Sequence, residues 1–470
     1  MGRAAASSTR LACRERLVSA LVASPTGKDR VRELQRALYR AAKADPRRRF
    51  HALYDKVYRR DVLERAWGQV RANRGAAGID RITLADVEQY GIGRLLDELA
   101  ADLRDGSYRP LPARRVFIAK PGSQERRPLS IPAICDRIVQ AAAKTVIEPI
   151  FEADFQPCSF GYRPRRTAHD ALQVLLDESF RGRRWVVETD IADCFEAIPH
   201  ERLMQALEER IVDRHLLKLL RAILRAGVME EGRVRRSVSG TPQGGVISPV
   251  LCNVYLNRLD RVWQTRGQGV LCRYADDLVV MCKTKEEAER ALGALRMILA
   301  ELGLEPKQAK TRIVQLREGG EGFDFLGFQH RLVRSRSPRS RHVTFLARWP
   351  SHRAMQHARE RIRALTARER LGLPVEAVVQ DLNSFLRGWT GYFRYGNSAR
   401  DFDKIRHHAL NRLALFVAAR HERPPAWGWW LVVYRSTDQL GLLNPNGSTV
   451  SPRPIWGWRE RPNAAGEGRR

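Results

Sequence analysis

Paired cysteines are missing from this sequence. Its seven cysteines (Cys13, Cys135, Cys158, Cys194, Cys252, Cys272 and Cys282) contain no Cys-x-x-Cys pair, which argues against a zinc ribbon or finger. Their odd number and wide scatter argue against a disulfide framework and fit a reducing compartment. Long apolar runs are missing too. The longest near the N-terminus, Leu17–Ala23, is at the short limit for a signal-peptide core, and no stretch approaches the ~20 residues of a membrane span. A soluble, cytoplasmic protein with no membrane partner is expected. Acid is scarce: 53 Asp plus Glu face 83 Lys plus Arg, giving a net charge of +30 and a pI near 10.7. Such a surface attracts polyanions, because neutralising phosphates releases counterions. Nucleic acid is the first partner to consider, although an Arg-rich proteome would give the same balance. At 43% hydrophobic, the chain can bury real cores and is not a disordered polymer.

Residues 1–26 are small, basic and Ser-rich, with Glu15 the only acid, and read as a loose arm. From Lys28 the apolar spacing turns helical, with Val31, Leu34 and Leu38 on one face, then Leu53 and Val57, then Val62, Ala66 and Val70. Gly75 and Gly78 interrupt it, and a further helix is expected over Leu84–Leu103. Alternation over Arg114–Lys120 predicts a strand running to a turn at Pro121-Gly122. Helices are expected over 136–153 and 167–180, strands over 185–191 and as a pair around 270–282, and mostly helix from Trp349 to about Arg420. The last 50 residues, rich in Trp, Pro and Gly, show no clear period. The order of elements predicts an α+β core followed by an all-α domain.

Two segments carry acids in an unusual setting. Tyr274-Ala275-Asp276-Asp277 is flanked by Val270-Leu271-Cys272 and Leu278-Val279-Val280-Met281, which reads as two buried strands joined by a tight turn. Alone, that has a local explanation, since Asp favours hairpin turns by bonding its own backbone. The run Trp185–Ile191 is a second strand, ending on Asp190. Three carboxylates on one sheet surface repel unless cations sit between them. Hard oxygen donors suit Mg²⁺, and two such ions can drive phosphoryl transfer. Asp193, an odd number of residues beyond Asp190, would face away on a regular strand.

These residues resemble the reverse transcriptases encoded by group II introns, which also act as maturases. Tyr274–Asp277 is similar to that family's signature hairpin, and Asp190-Ile191-x-x-x-Phe195 to its first metal-binding strand. Gly240–Pro249, containing Pro242-Gln243-Gly244, is similar to its Pro-Gln-Gly segment. So are Arg127–Pro132, Phe160–Pro164, Gly303-Leu304-Glu305 with Lys310-Thr311, and Phe323–Phe328. The matches lie in family order over roughly residues 55–330. Asn73–Asp80 resembles the end of the family's N-terminal extension, and Leu382–Phe393 its maturase (X) domain.

The resemblance implies fingers and an antiparallel palm sheet over residues 55–340, after a basic arm and helices at 1–54. It further implies a helical thumb over 341–420 and a Trp/Arg-rich tail over 421–470. It implies that Asp190, Asp276 and Asp277, with the Ile191 carbonyl, bind two Mg²⁺ ions. Phe195 would lie under the incoming sugar and exclude a 2′-hydroxyl, with an ordinary core Phe as the alternative. Gln243 and Gly244 would approach the nucleotide. Lys120 and Arg127 would grip its triphosphate, or else be solvated surface cations. Arg334, Arg336, Arg339 and Arg341, in an acid-free stretch expected to be a phosphate-binding loop, and Arg387 and Arg394 in the thumb would hold RNA. The implied partners are intron RNA, a DNA primer or target and deoxynucleoside triphosphates in a bacterial cytoplasm, with a homodimer left open. No His-Asn-His endonuclease is expected, since no cysteine follows Cys282. The tail tryptophans would stack on bases or pack on the thumb. The alternatives are an RNA-binding splicing factor without polymerase activity, and a reverse transcriptase recruited to host defence.

Overall fold

Helix starts in this chain are written in short polar signatures. The Thr83 and Thr167 hydroxyls each accept from the backbone N–H three residues on, and Asp86 and Asp170 return the bond. These reciprocal caps satisfy donors that the first helical turn leaves free. The computed structural model describes residues 27–119, 126–230, 233–235, 239–240, 244–335, 338 and 341–454. The expected N-terminal arm, most of the turn at Pro121-Gly122 and the end of the tail lie outside these residues.

Contacts divide the chain into two units, 1–116 with 128–155 and 195–255, and 117–127 with 156–194 and 256–470. In the first unit, helix Ile134–Glu152 is apolar nearly all round and buried along its length, as its sequence requires. Helix Gly27–Ala44 sets Val31 and Leu38 towards it, and Arg60–Ala72 sets Val62, Leu63, Ala66 and Val70. The helix expected over Leu84–Leu103 is two helices, Leu84–Tyr90 and Ile92–Asp105. Gly91 separates them at φ +102°, a conformation that costs glycine little. Strands β1 (Ala113–Ala119), β2 (Arg126–Ile131), β4 (Val228–Glu230) and β5 (Arg233–Arg235) form a sheet of order β2-β1-β4-β5, with β1 parallel to β4.

The second unit is built on an antiparallel sheet of order β6-β7-β3-β8: β6 Val270–Tyr274, β7 Asp277–Cys282, β3 Trp185–Asp190 and β8 Arg312–Gln315. Val186, Cys272, Val279, Met281 and Val314 point from it into a core shared with helix Ala168–Phe180. A second sheet joins β9 (Phe323–Phe325), β10 (Phe328–Arg334) and β11 (Thr344–Pro350). The two ends of the expected Arg-rich loop, 331–334 and 344–348, are therefore strand, because β10 and β11 pair over seven residues from Phe328↔Pro350 to Arg334↔Thr344. Their alternation puts Leu332, Leu346 and Arg348 inside. Helices His352–Leu365, Val375–Phe393 and Ala399–Arg420 continue the same core, and Leu382, Leu386 and Trp389 are buried as their spacing requires. The tail packs here as well: Trp427 and Trp429 lie against this core. Gly428 crosses so close to helix Ala399–Arg420 that a Cβ would sit 2.2 Å from the Ala414 carbonyl. Trp456 and Trp458 lie outside the described residues. The overall class is α+β, and among the described residues no helix is long and apolar enough to cross a membrane.

Leu386 is fully buried, whereas Arg387 beside it is exposed. Leu386→Ala is expected to lower stability by ~2–5 kcal/mol. Arg387→Ala should stay within about 0.5 kcal/mol. Equal shifts in denaturant midpoint would contradict this placement of the helix face.

Candidate active site

The β6–β7 hairpin turns on Ala275 and Asp276, and Ala275 sits in left-handed backbone at φ +58°. A non-glycine residue holds that conformation only where its surroundings impose it. Here they do. Arg273, the last residue but one of β6, is fully buried and donates to Asp260 through Nε (2.8 Å) and Nη2 (2.5 Å). The same guanidinium donates to the Ser159 hydroxyl (2.7 Å) and, through Nη1, to the Ala275 carbonyl (3.0 Å). Segment 158–161 lies against the hairpin, with Arg273 N–H bonding Cys158 O (2.8 Å) and Phe160 N–H bonding Arg273 O (2.9 Å). A Cβ on Gly161 would lie 2.4 Å from the Ala275 nitrogen, so glycine is required for this approach.

This clamp sets the acids in register. Asp190 and Asp277 are direct partners across β3 and β7, and the Ile191 N–H bonds the Asp276 carbonyl (3.1 Å). The Asp277 carboxyl is held well above the usual carboxylate range, first by burial and then by the Asp190 charge, with Lys310 opposing and Asp276 adding. Lys310 is a functional candidate that sequence reasoning named only as part of a motif. Its ammonium pairs with the Asp190 carboxylate. The segment before it is fixed to the same strand end, since the Lys307 N–H bonds Asp190 O (2.7 Å) and the Ala192 N–H bonds Glu305 O (2.9 Å). Thr311 and Thr189 hydroxyls pair at 2.8 Å. Among the described residues, no three His, Cys, Asp or Glu side chains converge as a ready-made metal cage.

Two comparisons with known proteins bear on these residues. Residues 118–330 match the family described as reverse transcriptase (RNA-dependent DNA polymerase), and residues 355–434 match the group II intron, maturase-specific domain. Protein YkfC of Escherichia coli (strain K12) is 35% identical over 347 residues, 65% of this chain and 89% of that protein. The chain belongs to the group II intron reverse transcriptase/maturase family. The group II intron-encoded protein LtrA of Lactococcus lactis subsp. cremoris is 37% identical over 212 residues, 45% of this chain but only 35% of its own length. Nuclear intron maturase 4, mitochondrial, of Arabidopsis thaliana is 29% identical over 166 residues, covering 35% of this chain and 20% of its own.

As a reverse transcriptase, the chain places its other motif residues as follows. β3 ends at Asp190, so strand alternation does not reach Asp193. That residue is exposed in left-handed backbone at φ +41°. Phe195 is the second residue of the short helix Cys194–Ala197 and is half-buried. In the first unit, Gly244 has φ +107°, and a Cβ there would sit 2.5 Å from the Ser130 carbonyl. The Pro-Gln-Gly segment and Arg127–Pro132 are thus in contact at that point. Lys120 and Gln243, like Arg336 and Arg339, lie outside the described residues, and of Arg127 only the backbone, in β2, is described. Arg341, Arg387 and Arg394 are exposed. Arg334 is not a free cation, because it makes a bidentate pair with Glu318 (2.7 Å to each oxygen). The absence of acids within 331–348 concealed this, since the partner comes from a neighbouring turn.

Arg273 and Asp260 can be tested as a unit. Arg273→Met alone leaves a buried, unpaired carboxylate and should cost ~3–5 kcal/mol. Arg273→Met combined with Asp260→Leu should regain most of that stability. Primer extension should stay depressed in the double variant, because the bond to the Ala275 carbonyl is lost in both. Full recovery of extension along with stability would show that the pair only holds the fold.

Proposed function

We propose that this protein is a right-hand polymerase that copies RNA into DNA, binds its own intron RNA, assists its splicing and uses the copy in intron mobility. One observation carries the catalytic half: Asp190 and Asp277 face each other across adjacent strands, with Asp276 in the connecting turn. These acids gain nothing in stability from that proximity, since like charges disfavour ionisation. Their donor set fits divalent cations. All are hard oxygens, the Lys310 ammonium already supplies positive charge at Asp190, and Mg²⁺ keeps waters and takes substrate phosphate oxygens rather than needing a full protein cage. Asp190, Asp276 and Asp277, with the Ile191 carbonyl, would hold two Mg²⁺ ions. Bound there, the ions would activate the primer 3′-hydroxyl and stabilise the leaving pyrophosphate.

The chain's own groups do the rest. Lys310 holds the Asp190 carboxylate in place and would yield it as cations enter. Phe195, half-buried, presents part of its ring and would exclude a ribose 2′-hydroxyl. Gly244, where no side chain fits, would let backbone approach the nucleotide beside Gln243, and Lys120 and Arg127 would bind the triphosphate as point charge and fork. RNA would be held by Arg336, Arg339, Arg341, Arg387 and Arg394, with Arg334 contributing less because Glu318 already neutralises it. The alternative of a pure RNA binder leaves the facing acids without a role.

Purified protein with Mg²⁺ should extend a DNA primer on an RNA template. Asp190→Ala or Asp276→Ala should lower the rate by orders of magnitude while RNA binding persists. In the same assay, Phe195→Ala should raise ribonucleotide incorporation. Near-normal synthesis in either Asp variant would remove the catalytic assignment, and unchanged sugar selectivity that of Phe195.

The maturase half makes its own demand. Replacing Arg387 and Arg394 by Ser should reduce preference for the cognate intron over unrelated RNA and slow its splicing, with extension on a generic template kept. Equal loss of affinity for both RNAs would leave a polymerase with a merely basic surface.

A further inference from the structure

Arg348 is an unusual arginine for so basic a chain. It lies on β11, only 4% exposed, and makes no ion pair among the described residues. Its placement is enforced from the backbone. Its Nε donates to the Tyr395 carbonyl (2.8 Å), its N–H to the Asn397 side chain (3.2 Å), and its carbonyl accepts from the Asn397 N–H (2.7 Å). The guanidinium carbon lies 5.9 Å from the Phe328 ring centre, which stacks on it but supplies no counter-charge. Nη1 has no hydrogen-bond partner. Burial holds its pKa down to about 10, with Tyr392 and then the Asp177 charge opposing only in part. A buried cation with no acid in ion-pair contact is costly, and the cost is relieved by an anion that comes from outside.

There is room for one. Arg348 lines an open cavity of ≈ 650 Å³ with His169, Gln173, Tyr395 and Arg453, within the range of small-ligand sites. Arg453 is exposed and also makes no ion pair among the described residues. Its carbonyl accepts from the Gln173 amide (2.9 Å), which ties the tail to the cavity wall. The acid in the lining, Asp170, is already engaged, accepting from the Thr167 backbone and hydroxyl. The aromatic element is Tyr395, 41% exposed, with His169 edge-on at 4.8 Å and the Arg394 guanidinium 5.4 Å from its ring centre. Two uncompensated arginines beside a supported, exposed ring form the combination that holds a phosphate and stacks a base.

We propose that this cavity binds one nucleotide of a single-stranded RNA segment, its phosphate against Arg348 and Arg453 and its base on Tyr395. The site is separate from the facing aspartates. It rests on the protein handling RNA but not on which residues catalyse. A strand is favoured over a free nucleotide because the cavity is open and Arg394, already expected to hold RNA, flanks its aromatic wall.

The test uses full-length protein whose polymerase centre is saturated with unlabelled primer–template. A short single-stranded RNA carrying one 4-thiouridine is bound, irradiated and its cross-link mapped by peptide mass. The expected cross-link is to the peptide containing Tyr395. The surface changes Arg453→Glu and Tyr395→Ser should each weaken RNA binding by about fivefold or more, the scale of one stacked or phosphate-bound nucleotide, with primer extension unchanged. Mapping elsewhere, or unaltered affinity in both variants, would overturn the proposal. So would displacement of the RNA by adenosine monophosphate or inorganic phosphate at equal phosphate concentration, which would make this a site for a free ligand. Because extension is measured in parallel, failure here is distinguishable from failure of the polymerase assignment.

Discussion

A buried ion pair stands behind the Tyr274–Asp277 hairpin. Arg273 and Asp260 are both fully buried, and an isolated charge at either position would be prohibitively expensive in that core. The pair survives because the guanidinium fork is used on all three nitrogens: two bonds to Asp260, one to Ser159 and one to the Ala275 carbonyl. Lysine could not replace it, since a single ammonium cannot span a carboxylate, a hydroxyl and a turn carbonyl in fixed directions. The left-handed Ala275 is held directly by this side chain, and Gly161 makes its close approach at the same turn. A buried pair of this kind contributes more to uniqueness of geometry than to net stability.

Charge is arranged in opposite senses at the two scales of the molecule. The whole chain carries +30, which favours association with any nucleic acid. Locally, Asp190 and Asp277 face each other across two strands, and Lys310 pairs with the first. A negative focus inside a positive surface draws divalent cations and admits the phosphate backbone around them, whereas a uniformly basic cleft would bind the backbone and repel the ions. The same logic separates the arginines. Arg334 is spent on Glu318, whereas Arg348 is buried with no acid in ion-pair contact among the described residues, and only the second kind asks for an external anion.

The parts of this architecture that were legible in the sequence are those where the cause is local. The capped helix at Ala168–Phe180, the strand ending on Asp190 and the hairpin at Tyr274–Asp277 each announce themselves by period or by cap. The i, i+3, i+4, i+7 spacing of Leu382, Phe385, Leu386 and Trp389 does so too, although Phe385 is only half-buried. What escaped was set by distant partners. The helix over Leu84–Leu103 breaks at Gly91, and a single glycine does not reveal beforehand whether it will be tolerated or used at positive φ. The Arg-rich stretch reads as a loop because its polar residues mask the alternation of Leu332, Leu346 and Arg348. Pairing with a partner strand ten residues away decides the matter. Arg273 looks like one more cation in a basic chain until Asp260 and Ser159 are placed around it. Strand alternation was likewise the wrong instrument for Asp193, because the strand stops three residues earlier.

The core of the second unit constrains how its two activities can be separated. Val186, Cys272 and Met281 of the sheet share one continuous cluster with Leu386, Trp389, Phe402 and Leu413 of the helices matched to the maturase domain. Interiors this tightly packed transmit volume changes to their neighbours. A cavity cut into the maturase helices would therefore be felt at the strands that carry the aspartates, and loss of polymerase activity in such a variant would say nothing about RNA recognition. Only the outward positions are uncoupled. Arg387 on the outer face of the helix that buries Leu386 and Trp389, and Arg394 just after its end, are exposed, so a substitution there changes the surface without changing what the sheet rests on. The two functions are thus divisible by face of the helix, not by segment of the chain.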